Sequence, residues 1–318
     1  GASSSQSYVE TDFGGSPSYW LVRIRQAYTR LNWKKGYLLV GQYWHPLFTP
    51  DLKPDVLSLN TGSPFQPFNR SPQLLLNYGD RLKWTAAAVY QMMYTSTGPD
   101  GKTYLYQHNA VVPDLFASVD YSEHRFLTGL AVDYKSILPE QYITDGNGVK
   151  IVNKRKLNTP AFMVYGKYTG KSLIVSAKAL YGQNLTDHNL IGGYAITPDH
   201  NYIPYNTFTS FINLTYGVKH QFDLFAGYSA NLGPDKTLPE NSNFYGFGVD
   251  EANTSEEKMI GTMYRLIPSY SYNLPHWKIG VELEYTNAAW GKRAAEGSII
   301  DLDRSDNQRV YAKLMYKF

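Results

Sequence analysis

Apolar and polar side chains alternate with a period of two along most of the chain, in segments of about ten residues. From Trp277 to Tyr285, the residues Trp277, Ile279, Val281, Leu283 and Tyr285 share one face, while Lys278, Glu282 and Glu284 share the other. Residues 173–181 and 222–228 repeat the pattern, and the last segment sets Val310, Ala312, Leu314, Tyr316 and Phe318 against Arg309, Tyr311, Lys313, Met315 and Lys317. Each segment is bounded by Gly, Asn, Asp or Pro, which favour turns. The pattern predicts fourteen strands, near 4–13, 21–33, 37–44, 72–78, 82–95, 114–121, 126–136, 157–169, 172–183, 204–216, 220–231, 258–272, 276–287 and 306–318.

The connections narrow the fold class further. Short turns at 34–36, 79–80, 122–124, 170–171, 217–219 and 273–275 alternate strictly with longer polar segments around 14–20, 45–71, 96–113, 137–156, 184–203, 232–257 and 288–305. This is the order of an up-and-down meander with its tight turns at one rim and its long loops at the other. A transmembrane β-barrel has that asymmetry, with an outward apolar band between aromatic girdles. Closure matters because hydrocarbon offers no partner to an unpaired amide. The expectation is therefore an all-β, transmembrane, antiparallel up-and-down β-barrel forming one domain over 1–318. A soluble sandwich with strand-forming tyrosines is the alternative, but Greek-key crossings would not give the strict long–short order.

Composition agrees with this reading. The 318 residues include 28 Tyr, 14 Phe and 6 Trp but no Cys, and only 18% are charged. Tyr121, Tyr168, Tyr181, Tyr216, Tyr228, Tyr272 and Tyr285 fall near predicted strand ends, where an amphipathic ring suits a headgroup region. Without Cys there is no disulfide framework, thiolate metal site or Cys nucleophile. A net charge of +3, with the basic residues scattered, gives no sign of nucleic-acid binding. No stretch approaches the roughly 18 consecutive apolar residues of a membrane helix.

Two local features resemble known proteins. Residues 310–318 form an alternating strand ending in Phe318, which resembles the sorting signal of Gram-negative outer-membrane barrels. Arg23-Ile24-Arg25-Gln26-Ala27-Tyr28, then Gly41-Gln42-Tyr43-Trp44, then Arg70-Ser71-Pro72-Gln73-Leu74 resemble the DcaP-like porins across residues 20–78. The resemblance implies a sixteen-stranded, trimeric porin of the outer membrane, with long loops extracellular and both termini periplasmic. Such a protein passes small hydrophilic and often anionic solutes. In sixteen-stranded porins the constricting loop is the third long loop, whereas the candidate here, 45–71, is the second. No signal-peptide pattern opens the sequence. Both facts are met if two N-terminal strands are missing from the sequence as given, and a hydrogen-bonded seam between 4–13 and 306–318 would contradict this.

Segment 45–71 holds Pro46, Pro50, Pro54, Pro64 and Pro67, together with Phe48, Phe65 and Phe68. Prolines limit flexibility and the aromatics supply apolar anchors. Folded into the barrel, the segment would bring Asp51, Lys53, Asp55 and Arg70 to a constriction; otherwise it is a cap or a subunit contact. If the apolar face meets lipid, parity sends Arg30, Lys83, Lys135, Lys167, Lys178, Lys278, Arg309 and Lys313 to the lumen, along with Asp120, Asp133, Asp223, Glu282 and Glu284. Rings of such charges select ions, and the cationic excess leans toward anions; pairing across strands is the bland alternative. Arg23 and Arg25 break the pattern, since they share parity with Ala27, Thr29 and Leu31 on the face assigned to lipid. A bulge, a position above the lipid or a subunit contact would each resolve this.

Searches for catalytic chemistry are negative. The seven His show no metal-ligand spacing, and Asp145-Gly146-Asn147-Gly148 lacks the remaining ligands of a calcium loop. No nucleophile elbow, P-loop or dinucleotide fingerprint occurs. Neither an enzyme nor a cofactor is expected. The expected partners are outer-membrane lipid or lipopolysaccharide and either two further copies or other outer-membrane proteins. The competing function is a plugged, non-conducting barrel acting as an accessory subunit. A weaker third reading is a soluble β protein that binds carbohydrate through exposed aromatics.

Overall fold

The computed structural model describes residues 3–14, 21–58, 61–144, 146, 148–248 and 258–317. Phe318, Asp145 and Asn147, which entered the readings above, lie outside them. Fourteen strands follow one another as antiparallel neighbours: β1 (Ser4–Asp12), β2 (Arg23–Trp33), β3 (Gly36–Trp44), β4 (Arg70–Gly79), β5 (Leu82–Val89), β6 (Asp114–Glu123), β7 (Phe126–Ile137), β8 (Leu157–Thr169), β9 (Leu173–Gln183), β10 (Tyr202–Tyr216), β11 (His220–Pro234), β12 (Lys258–Asn273), β13 (Trp277–Arg293) and β14 (Ile299–Tyr316). The architecture is an up-and-down β-barrel wall. Each sequence-predicted strand is present, but β5 leaves the sheet after Val89 and β14 begins at Ile299. Two further short strands join the sheet from long loops, Gly192–Ile196 pairing with β10 and with Asn243–Phe247. Among the described residues no backbone pairing joins β1 to β14.

Alternation sorts the side chains as a membrane requires. On β6, Asp114, Phe116 and Ser118 are buried, while Leu115, Ala117 and Tyr121 are exposed on the opposite face. Bulky apolar residues such as Leu76, Trp84, Leu130, Val132 and Phe162 cover the outward face of β4, β5, β7 and β8. Aromatic rings mark two levels on this face. Near the short turns lie Tyr78, Trp84, Tyr121, Phe126, Tyr216, Phe222, Trp277 and Tyr316, with contacts such as Phe126–Tyr168 (5.1 Å between ring centres) and Trp277–Tyr316 (4.7 Å). Tyr134, Phe162, Tyr181, Tyr228 and Tyr285 form the second level. Eight residues separate Phe126 from Tyr134 and Trp277 from Tyr285. At about 3.3 Å per residue, on strands tilted by roughly 40°, that spans about 20 Å, close to the apolar band of such barrels.

The structure resolves the two arginines by a bulge. The β1–β2 register passes from Glu10 opposite Gln26 to Thr11 opposite Ile24, leaving Arg25 as the extra residue. Parity therefore reverses there, and Arg23 and Arg25 turn to the inward face. Arg25 Nε lies 2.6 Å from Glu10, and Arg23 Nη2 lies 2.7 Å from Asp12. Of the three resolutions open from the sequence, the structure thus selects the bulge, an inserted residue that strict alternation does not register.

Candidate pore constriction

The segment after β3 leaves the wall through two 3-10 turns, Pro46–Phe48 and Pro50–Leu52, each with proline at its first position. A proline there costs no hydrogen bond and presets φ. Trp44 stacks on Phe48 at 4.0 Å, and Leu47, Phe48, Leu52, Leu57 and Phe65 are buried. Their neighbours include inward residues of the wall, among them Leu180, Phe211 and Phe225. Gly227 makes room for the segment: a Cβ there would stand 2.4 Å from Phe65 Cγ. Apolar burial thus draws residues 45–69 inside the barrel.

An irregular backbone buried in this way must find partners for its amides and carbonyls. Charged wall side chains supply them. Lys178 Nζ donates to the carbonyls of Leu47 (2.9 Å) and Phe48 (2.6 Å) and to Gln66 Oε1 (3.4 Å). Lys167 donates to the Asp51 carbonyl (2.6 Å), Lys313 to that of Leu57 (3.3 Å), and Arg265 to that of Ser63 (2.8 Å). Glu282 Oε2 accepts from the Leu57 and Ser58 amides at 2.5 and 3.4 Å. Asp55 meets Lys278 at 3.5 Å and accepts from Gln221 at 2.6 Å. Each of these wall residues points inward, and together they grip the segment along its length.

The sequence-predicted site residues therefore divide into groups. Asp51, Lys53 and Asp55 remain exposed on the segment. Arg30, Lys83, Asp51 and Asp120 line a lumenal cavity of about 320 Å3 with Tyr37 and Tyr165. Arg309 pairs with Glu284 at 2.8 Å, and Asp223 accepts from Gln221 at 2.9 Å. Arg70 stands apart from Asp51, Lys53 and Asp55: it is 1% exposed and boxed in by Trp44, Phe68 and Tyr94, with its charge centre 4.7 Å from the Trp44 ring. It donates to the Tyr94 hydroxyl at 3.3 Å, and its Nε and Nη1 have no hydrogen-bond partner among the described residues.

Lys135 and Lys178 also depart from the picture of a wet ring, because each is only 3% exposed. Lys135 Nζ donates to Asp187 Oδ1 at 2.5 Å and to the Asn184 carbonyl. Asp187 Oδ2 also receives Gln91 (3.4 Å) and Asn69 (3.5 Å), and His188 Nε2 lies 3.4 Å away. His45 Nδ1 accepts from the Leu47 amide at 3.3 Å, which leaves its Nε2 proton facing Asp133 Oδ1 at 3.8 Å. Burial raises the Asp187 carboxyl, but Lys135 and His188 outweigh it and bring the group down to about 2. Burial lowers His188 to about 4 despite the opposing carboxylate. This knot ties the start of segment 45–69, its end at Asn69 and the 184–190 turn to the wall.

Sequence reasoning missed Arg265, Gln221 and Asp187. Arg265 shares parity with Met263, Ile267 and Ser269, so alternation could have placed it inward. Asp187 sits in an aperiodic loop and carried no such signal.

No family model matches the sequence, and no curated protein matches it. Solved structures do. The outer-membrane channel DcaP of Acinetobacter baumannii superposes on all of this chain and 82% of its own, at 15% identity and a TM-score of 0.73. An anion-selective porin from Comamonas acidovorans covers 99% of this chain and 86% of its own (10% identity, TM-score 0.56). The trimer form of OmpT, an outer-membrane protein of Vibrio cholerae, covers 93% and 81% (11% identity, TM-score 0.50). Alternating strands, two aromatic levels, an inward-folded loop and these likenesses together make the chain a transmembrane β-barrel with the fold of the outer-membrane porins.

Proposed function

We propose that the protein is an outer-membrane porin through which small hydrophilic solutes diffuse passively, with a preference for anions. One observation carries the reading: wall side chains hold segment 45–69 inside the barrel while Asp51, Lys53 and Asp55 stay exposed on it, Asp51 in a cavity lined by Arg30 and Lys83. Charges in a narrow, low-dielectric passage act strongly on a permeant ion. The Comamonas protein named for anion selectivity shares the fold. The reading places the long loops outside the cell, the outward face of the barrel against outer-membrane lipid or lipopolysaccharide, and both termini in the periplasm. It also groups three copies, as in the trimer form of OmpT. Two further antiparallel strands between β1 and β14 belong to the same proposal, because an unpaired edge in hydrocarbon is costly. Slow amide exchange along Val310–Tyr316 in membranes is the expected sign, and fast exchange there would contradict it.

The fully buried strand Gly192–Ile196, with Leu190 and Ile191 beside it, favours a second reading in which the mouth is plugged and the barrel is an accessory subunit. Planar-bilayer recording separates the two. The porin predicts stepwise current and, across a KCl gradient, a reversal potential of the sign that marks anion preference. Lys53→Glu should move that potential toward cation preference. A folded barrel without current would leave only the accessory role.

A further inference from the structure

A second polar concavity lies at the long-loop rim, away from segment 45–69. It encloses about 670 Å3 between three loops: residues 155–156 before β8, 197–203 at the start of β10, and 236–239 after β11. Three cations line it, Arg155, Lys156 and Lys236, against one carboxylate, Asp199. Among the described residues none of the three forms an ion pair. Lys156 Nζ is tethered to the Ala110 carbonyl at 2.6 Å, and Arg155 Nη1 to the Asp199 carbonyl. Lys236 has no ion-pair partner among the described residues. The nearby acids are occupied elsewhere: Glu140 by His200 (3.0 Å) and Tyr202 (3.5 Å), Asp235 by Asn206 (2.7 Å) and Gln183 (3.3 Å).

A carbonyl tether fixes where a cationic head sits while leaving its charge and other donors available. Two of the three cations are positioned in this way before any ligand arrives, which lowers the ordering cost of binding. The hydroxyls of Thr197 and Thr237 and the amide of Asn201 add neutral donors to the same walls. Tyr202 is half-buried and held at its hydroxyl by Asn153 (2.9 Å), and it gives one side an aromatic surface.

We infer that this groove binds a phosphate monoester carried on a sugar-sized body. A phosphate monoester presents three acceptor oxygens and close to two charges, which suits cations converging from separate loops. The volume exceeds what a bare phosphate needs, and the hydroxyl, amide and aromatic groups suit an attached saccharide. That chemistry occurs both in free sugar phosphates and in the headgroup of a phosphorylated glycolipid.

The test uses the full chain in detergent. Titration calorimetry with glucose 1-phosphate reads the free ligand, and native mass spectrometry with diphosphorylated lipid A reads the lipid. Binding of both, weakened at least tenfold by Lys156→Ala with Lys236→Ala, supports the groove and makes soluble phosphate esters a source. Binding of lipid A alone, lost in the same variant, supports it with the headgroup as the source. Absence of binding by both ligands, or binding that the double variant leaves unchanged, overturns it. Lys156→Arg with Lys236→Arg should retain binding, and unchanged heat-modifiable gel mobility shows that each variant still forms the barrel.

Discussion

Lys135→Met is expected to destabilise the barrel by about 3–5 kcal/mol, the cost of removing one partner from a buried ion pair. Lys135 faces a knot containing Asp114, Asp133, Asp187, His45 and His188, all buried, and it is the lysine that bonds Asp187. Without it, the Asp187 carboxylate keeps, among the described residues, Gln91, Asn69 and His188 as partners. The measurement is the temperature at which the folded gel band is lost, read beside proteolysis within 184–191. Adding Asp187→Asn should recover much of the loss, because the stranded charge is gone. An unchanged transition in Lys135→Met would sink the account. The same assay has a pH signature of known sign. His188 is lowered from 6.5 to about 4, so the unfolded chain binds more protons across that window and stability falls as pH drops through it. Asp187 is lowered from 3.8 to about 2, and its contribution is lost over that lower range.

Lys178→Met should release the start of segment 45–69 from the wall. The substitution leaves two buried carbonyls, of Leu47 and Phe48, without their amino donor. A hydrogen bond of this kind contributes about 0.5–1.5 kcal/mol net, and orphaned buried carbonyls add a desolvation cost of about 1–3 kcal/mol. The expected result is a larger and noisier single-channel conductance, with faster proteolysis near Thr49 if the passage conducts. Lys178→Arg should preserve part of the grip, since it keeps charge and donors in a different geometry. Equal conductance in wild type and Lys178→Met would show that the segment does not depend on Lys178 for its position.

Most of the barrel wall was legible because a strand with one wet and one apolar face writes its parity into every second residue. Lys135, Lys167, Lys178, Lys278 and Glu282 all share the wet parity of their strands. What they do there was not legible. Lys178 and Lys167 meet backbone carbonyls more than a hundred positions away, and a carbonyl has no residue-type signature. The parity break at Arg23 and Arg25 was legible, but choosing a bulge over a subunit contact or a place above the lipid needed the opposing register that β1 supplies. Arg70 was grouped with Asp51 because both belong to the same stretch, yet Trp44, Phe68 and Tyr94 enclose it. The turn 184–190 and the strand Gly192–Ile196 have no period to read, although they are among the most buried parts of the chain.

The grip on segment 45–69 falls mainly on main-chain atoms: carbonyls of Leu47, Phe48, Asp51, Leu57 and Ser63, and amides of Leu57 and Ser58. Every amino acid brings a main-chain carbonyl, and all but proline an N–H, so the fastening is indifferent to most of the side chains it holds in place. Position and lining are thereby uncoupled. The charges at 51 and 53 can be exchanged for others without loosening the frame that carries them. On the porin reading proposed above, substitutions at the bare positions would retune the passage from one solute to another while stability stays in the wall.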